Sequence, residues 1–367
     1  MHPEELSAGV VVGGRYRLEA ELARGGESRV FRAAELRTGR QVALKALARD
    51  PADKTWVSRF RREANLARQL QHPNTVRLLD FDVDAESLPF IVYELLQGQT
   101  LRSLIQRQGA LGEARAVRIA TQILKALMES HAVGVVHRDI KPDNVFVCDF
   151  PGESDYVKVL DFGIAKSMES EATVLTSDGM LVGTPRYMSP DQIRGYPPVP
   201  NMDLYAVGLL LAEMLTGSPV VTEEHAEACR RQLSPEPLLL STAVRASALG
   251  PIIERAIQKE PAQRFQLAGQ FLTSLSACAA SGSIPPPAIE ATLDQVPVEQ
   301  LLGQAPLPAP APAAQPSVPP AHHPSAAPPG PAPSGGSRTH PLLWLSLGVA
   351  LVGLLLGAAA LVVAVLR

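Results

Sequence analysis

One short stretch of the chain, residues 137–144 (HRDIKPDN), concentrates the residue types that phosphoryl transfer needs. Asp139 can orient a hydroxyl nucleophile and accept its proton. Lys141, two positions on, can neutralise charge growing on the transferred group, and Asn144 offers a neutral oxygen to a hard divalent cation. Asp161 follows an apolar run (YVKVL) and opens a DFG triplet, so its carboxylate can bind a metal while Gly163 permits a sharp turn. Upstream, Lys45 ends the run VALK, and Glu63 lies beside the apolar face of an amphipathic stretch, where it can pair with Lys45. Taken singly, each has a bland reading: a strand lysine or helix glutamate is usually a solvated charge, and a DFG triplet recurs by chance. Their order, with a strand or helix beneath each, makes the set specific.

The elements that must hold these residues can be read coarsely. RYRLEAEL, SRVFRAAEL and RQVALKAL have strand character and are broken by Gly-Gly and Thr-Gly turn signals. WVSRFRREANLARQL places Phe60, Ala64, Ala67 and Leu70 at helical spacing. Two further strand-like runs precede Gly98, after which the pattern becomes mostly helical, with a short β pair around residues 145–160. A β-rich N-terminal lobe followed by an α-helical C-terminal lobe is an α+β architecture.

These motifs resemble the protein kinase superfamily, and specifically the bacterial eukaryotic-like (Hanks-type) serine/threonine kinases that carry a membrane helix. The resemblance covers about residues 16 to 275 and implies a bilobal protein-kinase-like fold. It implies ATP with Mg²⁺, or Mn²⁺ in its place, as cofactors, and Ser/Thr hydroxyls of proteins as acceptors. By position, Asp139 would be the catalytic base with Lys141 beside it, and Asn144 and Asp161 the metal ligands. Lys45 would contact the α/β-phosphates, with Glu63 its partner in the active state. Tyr93 falls at the gatekeeper position, and Glu94 and Leu96 would supply hinge backbone groups. Asp203 matches a buried Asp beneath the catalytic loop, and Arg264 the Arg that pairs with Asp191. Arg138 before the base resembles kinases whose activation segment is phosphorylated, with Thr176 and Ser177, then Thr173, as autophosphorylation candidates.

Two departures stand out. The Gly-rich loop, with its flanks Leu22, Ala23, Arg24, Gly25, Gly26, Glu27, Ser28, Arg29 and Val30, would cover ATP. It has Ala and Ser where the family pattern has its first and third glycines. Weaker nucleotide binding is the expectation. Asp191 stands where Glu is usual, and a small shift is expected to let it meet Arg264. The altered loop alone favours a membrane-bound pseudokinase scaffold. A small-molecule phosphotransferase is disfavoured by GTPRYMSPD (residues 183–191), which shapes a peptide platform.

Residues 285–341 hold 17 of the 33 prolines, among Ala, Ser and Gly, and read as a disordered linker. Residues 342–366 are uncharged and apolar, enough for a helix of roughly 37 Å against the ~30 Å hydrocarbon core. The expected divisions are an N-terminal extension (1–15), a kinase domain (16–277), the linker (278–341) and a single-pass transmembrane helix (342–366) anchoring the chain in the lipid bilayer. The first residues lack the pattern of a signal peptide, so the kinase domain is expected in the cytoplasm. A G-x-x-x-G at 353–357 permits a homodimer through the helix. A net charge of −3 without a polybasic patch argues against nucleic acid. Cys148, Cys229 and Cys278 have no metal-ligand spacing and read as reduced thiols.

Overall fold

The computed structural model describes residues 6–25, 28–49, 53–83, 88–150, 152–162 and 184–281. The chain divides into two units, 1–292 and 293–367, and all described residues belong to the first.

The N-terminal lobe is a six-stranded antiparallel sheet in the order β1-β2-β3-β4-β6-β5. Its strands are β1 (Val11–Val12), β2 (Tyr16–Arg24), β3 (Ser28–Glu35), β4 (Gln41–Leu47), β5 (Leu78–Asp82) and β6 (Phe90–Glu94). Side chains alternate across the pleat. One face of β3 and β4 sends Phe31, Ala33, Val42 and Leu44 into a core that also takes Leu6 and Val12. Residues 6–15, expected as part of an N-terminal extension, therefore contribute to the core of this lobe.

Helix α1 (Lys54–Ala67) lies on the other face. The Asp53 carboxylate caps it, accepting from Thr55 N and Trp56 N at 3.0 Å each. Its buried residues are Trp56, Phe60, Ala64 and Ala67. Leu70, expected as the next turn, falls beyond the helix and joins the core of the other lobe. The Glu129 carboxylate accepts from Gln71 N and His72 N at 2.7 and 2.9 Å, and Pro73 disfavours helical geometry at the residue before it.

The C-terminal lobe contains β7 (Gly98–Thr100), α2 (Leu101–Gln108), α3 (Glu113–Ala132), β8 (Val145–Phe150) and β9 (Glu153–Val159). These are followed by α4 (Pro190–Ile193), α5 (Pro200–Thr216), α6 (His225–Leu233), α7 (Thr242–Ala246), α8 (Gly250–Ala256) and α9 (Ala268–Ala280). Strands β7-β8-β9 form a small antiparallel sheet. Helix α5 is buried on every side from Asn201 to Met214, as its nearly continuous apolar sequence requires. At Gly208 a Cβ would come within 2.6 Å of Ala256 Cβ, so the glycine sets the close approach of α8. Helix α9 continues to Ala280, past the expected boundary at 277. The three cysteines are free thiols. Among the described residues no helix is long and apolar enough to cross a membrane; the apolar segment 342–366 lies outside them.

Candidate active site

Asp203, in the first turn of α5, is the foundation of the site. Its carboxylate is 1% exposed and accepts from His137 N and Arg138 N at 2.8 Å each, with His131 Nε2 also at 2.8 Å. These bonds hold the backbone at Arg138, whose φ is 63°; Asp161 has φ 52°, and both lie in the left-handed region that non-glycine residues seldom occupy. The His137 ring lies 4.8 Å from that of Phe162. It donates from Nε2 to Leu160 O (2.7 Å) and accepts at Nδ1 from Asp139 N (3.2 Å), which requires the neutral imidazole. Burial holds its pKa below the usual histidine value.

On this support the reactive groups converge. Lys141 Nζ is 3.0 Å from Asp139 Oδ2, and Asn144 Nδ2 donates to Asp139 O (2.8 Å) and Oδ2 (2.9 Å). A 3₁₀ turn over Pro142–Asn144 brings the Asn back towards the aspartate. Lys45 projects from β4, paired in register with Val30 and Ile91, and meets Asp161 Oδ2 at 2.8 Å. Glu63, half-buried on α1, forms no ion pair with Lys45.

The cavity between the lobes is about 720 Å³. Of the expected residues, it is lined by Leu22, Ala23, Arg24, Gly25, Ser28, Val30, Lys45, Glu94, Leu96, Lys141, Asn144 and Asp161. Tyr93 lines it too, its phenol pKa pushed up by burial and then by the Asp161 charge. The Glu94 carboxylate accepts from Arg77 N (2.9 Å) and Lys158 Nζ (2.7 Å), so the side chain braces the connection between lobes.

Arg29 is a correction. Strand alternation turns Ser28 and Val30 to the cavity and Arg29 to the opposite face, where it is 7% exposed. There it donates to Leu6 O (3.0 Å) and Glu21 and sits 4.8 Å over the Phe31 ring. Hydrogen bonds from Arg24 and Arg29 hold the Glu21 carboxyl down to about 2. Gly26, Glu27, Gly163, Thr173, Thr176 and Ser177 lie outside the described residues.

Sequence reasoning missed Ala43, Val76, Phe146 and Leu160 as apolar lining, and Thr100 and Asp143 at the polar side. The signal for Phe146 was present. In β8 its neighbours Val145 and Val147 enter the core, so Phe146 must face the other way, into the cavity.

Two oxygen donors suit a hard divalent cation. Both Asn144 hydrogen bonds use Nδ2, leaving Oδ1 as an acceptor, and Asp161 supplies a carboxylate 36% exposed towards the cavity. That set fits a metal that takes its remaining ligands from phosphates and water.

A β-rich lobe hinged on a helical lobe, with Lys45, Lys141, Asn144 and Asp161 around one cavity and Asp139 held beside it, is the arrangement of the kinase class of proteins. Residues 16–272 match the protein kinase domain, and the chain belongs to that family. It is 39% identical over 277 residues to the serine/threonine-protein kinase pkn3 of Myxococcus xanthus, covering 73% of this chain and 51% of the relative. It is 34% identical over 268 residues to the serine/threonine-protein kinase PknB of Mycobacterium tuberculosis, covering 71% of this chain and 42% of the relative. The chain thus spans about half or less of the length of these curated relatives. The kinase domain of Mycobacterium tuberculosis PknI superposes with a TM-score of 0.58 at 23% identity, covering 74% of this chain and 99% of that one, which shows the fold.

Proposed function

We propose that the protein transfers the γ-phosphoryl group of ATP to Ser or Thr hydroxyls of proteins, its own chain included. One observation carries the reading: Lys141 and Asn144, which line the cavity, both grip Asp139 beside it, while Lys45 and Asp161 meet across the cavity. Asp139 orients the acceptor hydroxyl and takes its proton as the phosphoryl group departs. Lys141, within reach of the same oxygen, offsets negative charge on the group in transit. Lys45 binds the α/β-phosphates, and the apolar residues Val30, Ala43, Val76, Leu96 and Phe146 sandwich the base. The hinge backbone at Glu94 and Leu96 supplies its polar contacts. Asn144 and Asp161 would hold Mg²⁺, or Mn²⁺, which when bound would offset the negative charge of the phosphates. Phosphoryl transfer from labelled ATP to a generic protein substrate tests this. Absence of transfer in the wild-type chain overturns it.

The same reading assigns autophosphorylation to Thr173, Thr176 or Ser177. Mass spectrometry after incubation with ATP tests it, and no phosphate in residues 164–182 refutes it. Residues 342–366 would anchor the chain in a bilayer with the kinase domain in the cytoplasm, supported by their length and hydropathy. Deleting them moves the protein from the membrane to the soluble fraction if that is right. The small-residue pair Gly353 and Gly357 would let two such helices approach, and Gly353→Ile with Gly357→Ile then lowers trans-phosphorylation in membranes.

A further inference from the structure

Beside the mouth of the catalytic cavity lies an acidic socket that the chain fills with its own guanidinium. Glu213, on α5, has a side chain only 1% exposed. Its Oε1 accepts from Arg102 Nη1 at 2.6 Å and its Oε2 from Tyr187 Oη at 2.6 Å. Arg102 Nη2 donates to Tyr187 Oη at 2.8 Å and approaches Asp143 Oδ2 at 3.4 Å. Burial works to lower the Arg102 pKa, but Tyr187, Glu213 and Asp143 outweigh it and hold the guanidinium charged.

The socket opens on the reaction site. Asp143 lines the cavity with Lys141 and Thr184, and its side chain is 49% exposed. Arg102 is the second residue of α2, two positions after Thr100, which lines the same cavity. Its side chain is 24% exposed against 1% for Glu213, so Arg102 lies on the solvent side of the socket. A peptide bringing a hydroxyl to Asp139 must cross this mouth. Two carboxylates and a phenol converging on one fork-shaped cation form a site whose chemistry selects arginine. A Glu213 carboxylate that lost its counter-charge at that depth would be strongly disfavoured, so the socket favours a cation.

We infer that Arg102 is a specificity-determining residue: by occupying the socket itself, it frees the acceptor sequence from any need for a basic residue and disfavours one there. Vacating the socket converts it into a subsite for an arginine near the acceptor. This rests on the kinase reading above.

The test uses the full chain with Arg102→Ala and a positional peptide library around a fixed Ser or Thr. The wild type is expected to use arginine at each position no better than alanine, and less well at the position nearest Arg102. R102A is expected to favour arginine at that position by about two- to fivefold, the scale of a partly exposed charge pair. Added ethylguanidinium should raise the Tm of R102A saturably and leave the wild type unchanged. The paired change Arg102→Met with Glu213→Gln buries no lone charge and covers the case in which R102A does not fold. It should erase the wild-type discrimination against arginine without creating a preference for it. Active wild type with unchanged arginine ratios in these variants, or no ethylguanidinium response in R102A, overturns the inference while leaving the kinase reading intact. A wild type that phosphorylates nothing overturns both.

Discussion

Arg264 donates from Nη2 to Asp191 Oδ1 across 2.6 Å, with the side chains only 0% and 3% exposed. The guanidinium also donates to Gln258 O and Lys259 O and lies 4.8 Å over the Tyr205 ring. Among the described residues, Arg264 Nη1 and Asp191 Oδ2 have no hydrogen-bond partner. A carboxylate one methylene short reaches the guanidinium through a single oxygen.

The pair therefore gives opposite outcomes for two substitutions. Asp191→Ala leaves a buried guanidinium without its counter-charge and is expected to cost about 3–5 kcal/mol. Asp191→Glu supplies the missing reach, satisfying both orphaned atoms, and is expected to stabilise by about 1–2 kcal/mol. Urea denaturation of the three proteins measures both. A Glu variant less stable than the wild type would show that the surrounding packing, not the carboxylate's length, governs the site.

Two glycines near the cavity separate a fold requirement from a ligand requirement. At Gly98 the backbone has φ +136°, and a Cβ would lie 2.2 Å from Val147 O. Gly98→Ala must push apart the β7–β8 pair that follows the hinge, with an expected loss of more than about 3 kcal/mol. At Gly25 a Cβ would meet nothing closer than 3.6 Å among the described residues. If the loop covers ATP as proposed, Gly25→Ala is expected to keep the wild-type Tm while raising the KM for ATP, because the added methyl would then face phosphate. Thermal unfolding with ATP kinetics distinguishes the two, and a large Tm drop in Gly25→Ala would contradict the assignment.

Much of the site was legible because its residues lie in short local runs. Asp139, Lys141 and Asn144 fall within six positions, and the hydrogen bonds joining them follow from that closeness. Asp203 and Arg264 were legible through the motifs around them. What escaped was set by tertiary contact or strand phase. Arg102 and Glu213 are 111 positions apart, and nothing local to either announces the other. Arg29 sits in the right loop, but a one-residue step in a strand reverses a side chain, and the loop motif carries no phase. Leu70 keeps helical spacing after the helix has ended, because Glu129 from another helix captures the next two amides.

The hydrogen bonds at Asp139 make its variant informative. Asp139→Asn keeps a side chain of the same shape between Lys141 and Asn144 but removes the proton acceptor. The expected loss in kcat is on the order of 10²–10⁴-fold, with the Kd for ATP largely unchanged because Asp139 does not line the nucleotide cavity. Single-turnover kinetics with a nucleotide-binding titration checks both, and near-normal turnover would remove Asp139 from the mechanism.

His137 predicts a pH dependence of stability. Its folded-state pKa is lowered, first by burial, and both ring nitrogens are committed in a way only the neutral form allows. The unfolded histidine titrates near 6.5. Above that pH neither state binds the proton and the contribution is fully present. As pH falls through 6.5 towards the lower folded value, the unfolded chain takes up a proton that the folded chain resists, and stability drops. One such group contributes up to about 1.4 kcal/mol per pH unit within that window. His72, lowered by its own burial, acts in the same direction. His137→Gln keeps a donor for Leu160 O and cannot titrate. Its urea midpoint should therefore fall less steeply from pH 7.5 to 5.5 than the wild type's, by up to one proton's worth of slope. Parallel slopes in the two proteins would mean that His137 does not carry the acid sensitivity of the fold.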